Sequence, residues 1–371
     1  MKALVIGGTG PTGPFIVNGL LERGYDVAIM HRGTHDTDEI PASTERIIGD
    51  PHFQETIGQA LGQRTFDLVI ATYGRIRFIA AEMPGRTQRF IAIGGPPCYR
   101  GMMVPEAMSP PGMLIPTSED APLVESEEEF RFSYLIRLTE DTVMKGHDEG
   151  HYNATLYRYP VIYGPRLLGA TMQRIIRLVK NKRPYIVLPD GGLTIVSRGY
   201  AENMARAVLL SVDKPDEAAG QIFNCADDIQ FTVGQWISMI AQILDYDLEV
   251  IGVPDSVCHV NRDLIPFNCT SHHQMMDTYK IKTRLGYKDV VSPADALSGS
   301  VKWCLDHPLS PELAAEKEKE DSLNYRIEDE LAAIYHDCFE RMAGVEHPSR
   351  PVHHPYPHPK EPGLSRDHRK R

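Results

Sequence analysis

The sequence predicts an α/β chain built on a doubly wound parallel sheet. Three observations carry this. Short apolar runs alternate with longer helical patterns through the first third of the chain, which is the signature of βαβ units. A glycine-rich turn joins the first apolar run to the first helical pattern. With 371 residues, 42% of them apolar and 24% charged, the chain is long enough for two domains, or one large α/β unit with an appendage. A core of that size needs no disulfide or metal staple.

The elements follow in order. Lys2 to Ile6 is an apolar, β-rich run, and Phe15 to Arg23 carries apolar residues at helical spacing. Asp26 to Met30, Arg46 to Ile48, Leu68 to Ala71 and Phe90 to Ile93 read as further strands, and Ala154 to Tyr159 as a sixth. Beyond Gly164-Pro165 the alternation loosens. Thr171 to Lys180 reads as a helix with Met172, Ile175, Ile176 and Val179 on one face. Tyr200 to Leu210 is another helix, Ile222-Phe223-Asn224 a strand, and Pro293 to Leu305 a late helix. Thr232 to Leu244 is amphipathic and led by a threonine suited to capping.

Charge and cysteine usage exclude some functions. Lys plus Arg total 39 against 50 Asp plus Glu, a net charge of −11. Such a balance disfavours non-specific binding to nucleic acid or to an anionic membrane. No apolar run approaches the ~20 residues that span a bilayer. The N-terminal residues read as a first strand and not as a signal peptide. Cys98, Cys225, Cys258, Cys269, Cys304 and Cys338 are scattered without a CxxC pair, so they read as reduced cytoplasmic thiols. No metal-ligand spacing, Ser-His-Asp order or P-loop is present. Glu312 to Glu320 is a charge run read as a solvated helical face. Pro348 to Pro362 holds six prolines interleaved with His353, His354 and His358, and reads as a mobile or surface-lying tail.

The strongest local signal is Gly7-Gly8-Thr9-Gly10-Pro11-Thr12-Gly13. It leaves a strand and opens a helix, with Gly7, Gly10 and Gly13 at GxxGxxG spacing. A tight turn, a backbone open to a pyrophosphate and a helix N-terminus rich in amide donors together make a dinucleotide cradle. The second strand ends Met30-His31-Arg32-Gly33, without the acid that accepts ribose hydroxyls in NAD-preferring folds. Arg32 suits a 2′-phosphate instead, which favours NADP over NAD. His31 reads as a packing or adenine-side residue.

Four segments together resemble the extended short-chain dehydrogenase/reductase superfamily, in its NAD(P)-dependent epimerase/dehydratase group. They are Gly7 to Gly13; Ile48-Gly49-Asp50-Pro51; Leu156 to Arg166, with Arg158 and Tyr163-Gly164-Pro165-Arg166; and Asp277-Thr278-Tyr279-Lys280 with Leu285-Gly286-Tyr287. The resemblance runs from Met1 to about Pro308. It implies a Rossmann sheet and a smaller, discontinuous C-terminal substrate domain, with the active site in the cleft between them. The division it implies is 1–165 and 196–225 for the NAD(P)-binding domain, and 166–195 and 226–310 for the substrate-binding domain. A helical appendage (311–342) and a Pro/His-rich tail (343–371) follow. Along the cofactor it implies contacts from Gly7, Thr9, Gly10, Pro11, Thr12 and Gly13, from His31 and Arg32, and from Asp50 and Pro51 at the adenine. Ala71 and Tyr73 follow the fourth strand. Gly94, Gly95, Tyr159, Pro160 and Val161 lie toward the nicotinamide. Arg166, Arg183, Arg198 and Arg262 fall in segments that approach the substrate, and a homodimer through the helix after Phe132 is implied.

The family's chemistry uses a Ser/Thr, a Tyr and a Lys four residues after that Tyr. Here the Ser/Thr position holds Gly95. If Tyr134 is the family tyrosine, the lysine position is Leu138; aligned on Glu140 and Arg158, the two positions are Phe132 and Ile136. Neither register gives a Tyr–Lys pair. Three readings follow. The first is an NADP-dependent oxidoreductase reducing a small carbonyl or activated double bond, with Tyr134 as acid/base and Arg137 as the charge beside it. The second is a non-redox isomerase, cyclase or lyase on the same fold. The third is a binding protein that senses the dinucleotide without turning it over.

Overall fold

The computed structural model describes residues 1–34, 37–167, 170–266, 271–320, 323–346 and 362. Residues 347–361 and 363–371 of the Pro/His-rich tail lie outside these residues, as does Cys269.

The first half runs β1 (Lys2–Ile6), α1 (Gly13–Glu22), β2 (Asp26–His31), β3 (Glu45–Ile48), α2 (Gln54–Leu61), β4 (Leu68–Ala71), α3 (Ile76–Glu82), β5 (Arg89–Gly94), α4 (Glu127–Asp148), β6 (Asn153–Arg158) and β7 (Val161–Tyr163). The second half runs α5 (Ala170–Lys180), β8 (Tyr185–Pro189), β9 (Arg198–Tyr200), α6 (Ala201–Asp213), β10 (Gln221–Asn224), α7 (Val233–Ile243), β11 (Glu249–Val253), α8 (Tyr279–Leu285), α9 (Pro293–Asp306), α10 (Pro311–Glu320) and α11 (Tyr325–Ala343). Among the described residues, no helix is long and apolar enough to cross a membrane.

Seven parallel strands form the main sheet in the order β10-β6-β5-β4-β1-β2-β3. Helices cover both faces, so alternate strand residues enter two separate cores. Ala3, Val5, Ile29 and Ile70 pack toward α1 and α6; Leu4, Ile6, Met30 and Ala71 pack toward the α2, α3 and α4 side. Burial on both faces is why these strands read as continuous apolar runs. Strand order reverses between β1 and β4. Ligands of doubly wound sheets bind in the crevice that this reversal opens at the strands' carboxyl ends.

A second core gathers α5, α7 and α9 around Ile175, Trp236, Ile237, Leu264 and Leu297. Beside it lies a two-stranded parallel sheet of β8 and β11. The expected cap of α7 is present: Gln235 N–H donates to Thr232 Oγ1 at 3.1 Å, and Gln235 Oε1 accepts from Thr232 N–H at 2.9 Å. The short strands β7 and β9 pair with each other and lie outside the main sheet. Three residues apiece is too short for a periodicity to show, and sequence reading missed them.

The acidic segment after Pro311 is helical, and α11 packs against the β8–β11 sheet through Ala332, Ile327, Leu331 and Tyr335. Glu328 is fully buried there; its carboxylate accepts from Asn261 Nδ2 at 2.6 Å and from Val187 N–H at 3.2 Å.

Candidate dinucleotide and substrate site

A cavity of about 680 Å³ lies at the strand-order reversal. Gly7, Thr9, Gly10, Pro11 and Thr12 line it from the β1–α1 turn, His31 and Arg32 from the end of β2, and Thr72 and Tyr73 from the end of β4. The turn is built as its spacing requires. Gly7 has φ +86°, a backbone state that side chains disfavour, and its N–H donates to Met30 O at 2.9 Å. A Cβ on Gly13 would fall 2.0 Å from Gly8 O, so only glycine lets α1 start this close to β1. Gly10 is different: a Cβ there meets only Gly7 O, at 3.7 Å. Its open side faces the space that a pyrophosphate at a helix N-terminus would take.

The far end of the cavity is aromatic and charged. The Arg32 guanidinium lies 5.7 Å from the Tyr73 ring centroid, and His52 meets the same ring edge-on at 5.0 Å. The Asp50 carboxylate accepts from the His52 ring at 2.7 Å and from His52 N–H at 3.0 Å, and this holds its pKa below the usual carboxylate value. Pro51 supports this end, with its carbonyl accepting Arg75 N–H at 3.0 Å. A dinucleotide's adenosine suits these residues: a planar ring to stack on and a guanidinium beside it.

Arg166 bolts the glycine turn from above. Its guanidinium donates to Pro11 O at 2.9 Å, pairs with Glu39 and lies over the Phe15 ring at 5.0 Å. Its guanidinium is therefore spent on the glycine turn, away from the substrate-side place its segment suggested. Thr34, Thr37, Asp38 and Glu39 complete the wall, with Trp303 of α9 and His307 just past its end. Trp303 and His307 stack at 4.5 Å. Nothing local in the sequence pairs α9 with a turn some three hundred residues earlier.

Several expected contacts fall elsewhere. Ala71 is fully buried in the α2–α3 core, and Thr72 and Tyr73 take the lining positions after β4. Tyr159 packs its ring in the α1–α6 core, with its hydroxyl donating to Met204 O at 3.0 Å. Gly94, Gly95 and Pro160 do not line the cavity, and Val161 lines a different one.

The catalytic pair expected on α4 is not assembled. Tyr134 lies outside both cavities, and the Arg137 guanidinium donates to Val124 O at 2.7 Å and faces Asp141 at 3.7 Å. The fixed point of this helix is Glu140, which takes two charge-assisted hydrogen bonds from Arg158, at 2.9 and 2.7 Å, with both side chains buried. Arg158 also donates to Tyr99 Oη at 2.7 Å, and that hydroxyl donates to Asn224 Oδ1 at 2.8 Å. The Glu140–Arg158 pair supports the register with Phe132 and Ile136 at the tyrosine and lysine positions. Ile136 sits within about 40° of Glu140 around the helix, whereas Tyr134 is about 120° away. Ile136 packs against the Cys98, Tyr99 and Met102 cluster. Cys98 is buried, its thiol pushed well up by desolvation and by Glu140, so it is no nucleophile.

Residues 110–226 match the sequence model of the NAD dependent epimerase/dehydratase family. The match spans under a third of the chain, so the chain is similar to that family in this segment and shares the fold of solved epimerases and dehydratases. The chain is similar to a UDP-N-acetyl-alpha-D-glucosaminuronate decarboxylase of Bacillus cytotoxicus, 22% identical over 331 residues, covering 81% of this chain and 97% of that protein. A 3-diazoavenalumate denitrifying reductase of a Streptomyces species is 23% identical over 262 residues, covering 66% of this chain and 82% of its own. The fold matches that of a UDP-glucuronic acid 4-epimerase from Bacillus cereus solved with NAD, with TM-score 0.62 and 18% identity over 82% of this chain and 99% of that one. Against the family's pattern, this epimerase/dehydratase-like chain lacks the Tyr-x-x-x-Lys pair in either register.

Proposed function

We propose that this protein is an NADP(H)-dependent reductase of a small molecule with an activated double bond or carbonyl. The observation that carries the reading is the contrast between the two ends of the crevice. The dinucleotide cradle keeps its glycine turn and adds Arg32 over Tyr73, while the helix that supplies proton chemistry in relatives presents Phe132 and Ile136. The bound dinucleotide would supply a hydride. Without a tyrosine–lysine pair, the acceptor must already be electron-poor, because little help is at hand to protonate a developing alkoxide. Protonation would be left to solvent after transfer. Arg32 would hold the 2′-phosphate and so select NADPH.

The test is single-turnover oxidation of bound NADPH with a panel of enones and ketones, followed by loss of reduced-cofactor absorbance. Oxidation by enones faster than by simple ketones, unchanged in Tyr134→Phe, supports the reading. Loss of turnover in Tyr134→Phe would return the proton donor to that residue. Tight NADPH binding without oxidation across the panel would favour a protein that binds the dinucleotide without spending it.

A further inference from the structure

Four arginines fall in segments that approach the substrate in relatives, and three of them have other work. Arg166 bolts the glycine turn. Arg183 is held by Asp329 and lies over Tyr325 at 4.4 Å, where α11 docks. Arg262 pairs with Asp255. Arg198 differs. It is only 6% exposed, yet among the described residues no carboxylate lies within ion-pairing distance of its guanidinium. Among the described residues, its guanidinium makes a long hydrogen bond to Val196 O at 3.4 Å and lies 5.0 Å from the Trp236 ring centroid.

This guanidinium lines a second cavity of about 240 Å³. The other walls are largely apolar: Val161, Ile162, Met172, Trp236, Leu264 and Pro266. Asp263 also lines it, but its carboxylate is already neutralised by the buried Arg174, which pairs with it through both guanidinium ends. The Tyr163 hydroxyl is committed to Asp227 at 2.8 Å. Among the described residues, the cavity therefore carries one uncompensated positive charge. Desolvation lowers the Arg198 pKa to about 10, the mark of a cation held out of water without a partner.

The cavity backs onto the dinucleotide site through two shared walls. Gly164 and Leu167 line it while Arg166, between them, lines the cofactor cavity; Cys304 lines it while Trp303 lines the other. A buried, unpaired guanidinium costs the fold free energy and earns its place only when something anionic pairs with it.

We propose that Arg198 is the carboxylate anchor of the substrate pocket, and that the substrate is a small monocarboxylic acid with a flat apolar body stacked near Trp236. The assignment of this ligand as substrate rests on the reductase reading above; the binding site itself does not. One guanidinium matches one carboxylate in a planar, two-pronged pairing. A volume below the roughly 300–1,000 Å³ of sites that enclose drug-sized ligands leaves no space for a nucleotide-sugar within this cavity.

The experiment is thermal unfolding and calorimetric titration of the full chain, with cinnamate and benzoate against their neutral amides, and with inorganic phosphate and a UDP-sugar as further arms. The carboxylates should raise the melting temperature of wild type and the amides should not. Arg198→Met should lose roughly ten- to a hundredfold in carboxylate affinity, with Arg198→Lys intermediate. Without ligand, Arg198→Met should melt at or above the wild-type temperature. Equal binding of acids and amides, equal affinity in Arg198→Met, no response to either carboxylate, or a response to phosphate or the UDP-sugar alone would overturn the proposal. NADPH fluorescence is read on the same samples. Retained carboxylate binding with no NADPH binding would sink the reductase reading alone, and the reverse result would sink the anchor alone.

Discussion

The β1–α1 turn and helix α4 flank the same sheet and meet the family pattern in opposite ways. The turn keeps every glycine its geometry needs: Gly7 at φ +86°, Gly13 against Gly8, and Gly10 open to the cavity. Helix α4 is anchored to the sheet by Glu140 on Arg158, and carries Phe132 and Ile136 at the positions that the resemblance assigns to tyrosine and lysine. The difference teaches that the scaffold of a site and its reacting groups rest on different residues. Glu140 fixes where α4 sits; it does not dictate what the helix offers one and two turns earlier. A binding site for the dinucleotide can therefore stand while the acid–base pair is replaced.

The comparison breaks most visibly at Gly10. Gly10→Val should place two methyls in the pyrophosphate space and abolish dinucleotide binding by fluorescence titration, with the melting temperature little changed; retained affinity would mean the turn does not hold the cofactor. At the other end, Glu140→Ala leaves Arg158 buried and unpaired. Denaturant unfolding should then show a loss of about 3–5 kcal/mol, and a loss below about 1 kcal/mol would remove Glu140 as the anchor of α4. Arg32→Ala sharpens the cofactor side: NADPH affinity should drop roughly tenfold or more, with NADH affinity nearly constant, since only the 2′-phosphate loses its charge-assisted partner. Equal losses for both would dismiss Arg32 as the selector.

A smaller effect concerns the strut behind β7 and β9. Asp227 accepts from Tyr163 Oη, Tyr200 N–H and Asn203 Nδ2, yet burial raises its pKa to about 6. The native state then binds more protons than the unfolded chain between about pH 4 and pH 6, so this group's contribution to stability falls as pH rises through that window. Stability curves of wild type and Asp227→Asn should diverge there, the variant having the flatter slope. Parallel curves would show that the carboxyl titrates normally.

That the glycine turn and the end of β2 meet at one cavity was legible because their signals are local. A glycine spacing after a strand and a basic residue at the next strand's end each occupy a few consecutive residues, and the cavity gathers Gly7, Thr9, Gly10, Pro11, Thr12, His31, Arg32 and Tyr73. The errors came where side-chain direction decides. Ala71 ends its strand pointing into the core, one residue short of the cavity, and Tyr159 follows β6 with its ring toward α6. Tyr134 attracted notice as a tyrosine in the right helix, but two residues from Ile136 is about 160° around a helical turn. Trp303, His307 and Arg198 owe their places to long-range packing of the second core, which no local pattern encodes. That Arg198 was one of four comparable arginines in the sequence shows the limit: only the partners of the other three single it out.

The most direct test of the central contrast is a titration of the purified chain with NADPH and with NADH, read by reduced-cofactor fluorescence. An intact cradle with Arg32 at its ribose end predicts saturable NADPH binding at least roughly tenfold tighter than NADH. No binding of either nucleotide would contradict the account, leaving the glycine turn as part of the fold with no ligand to hold.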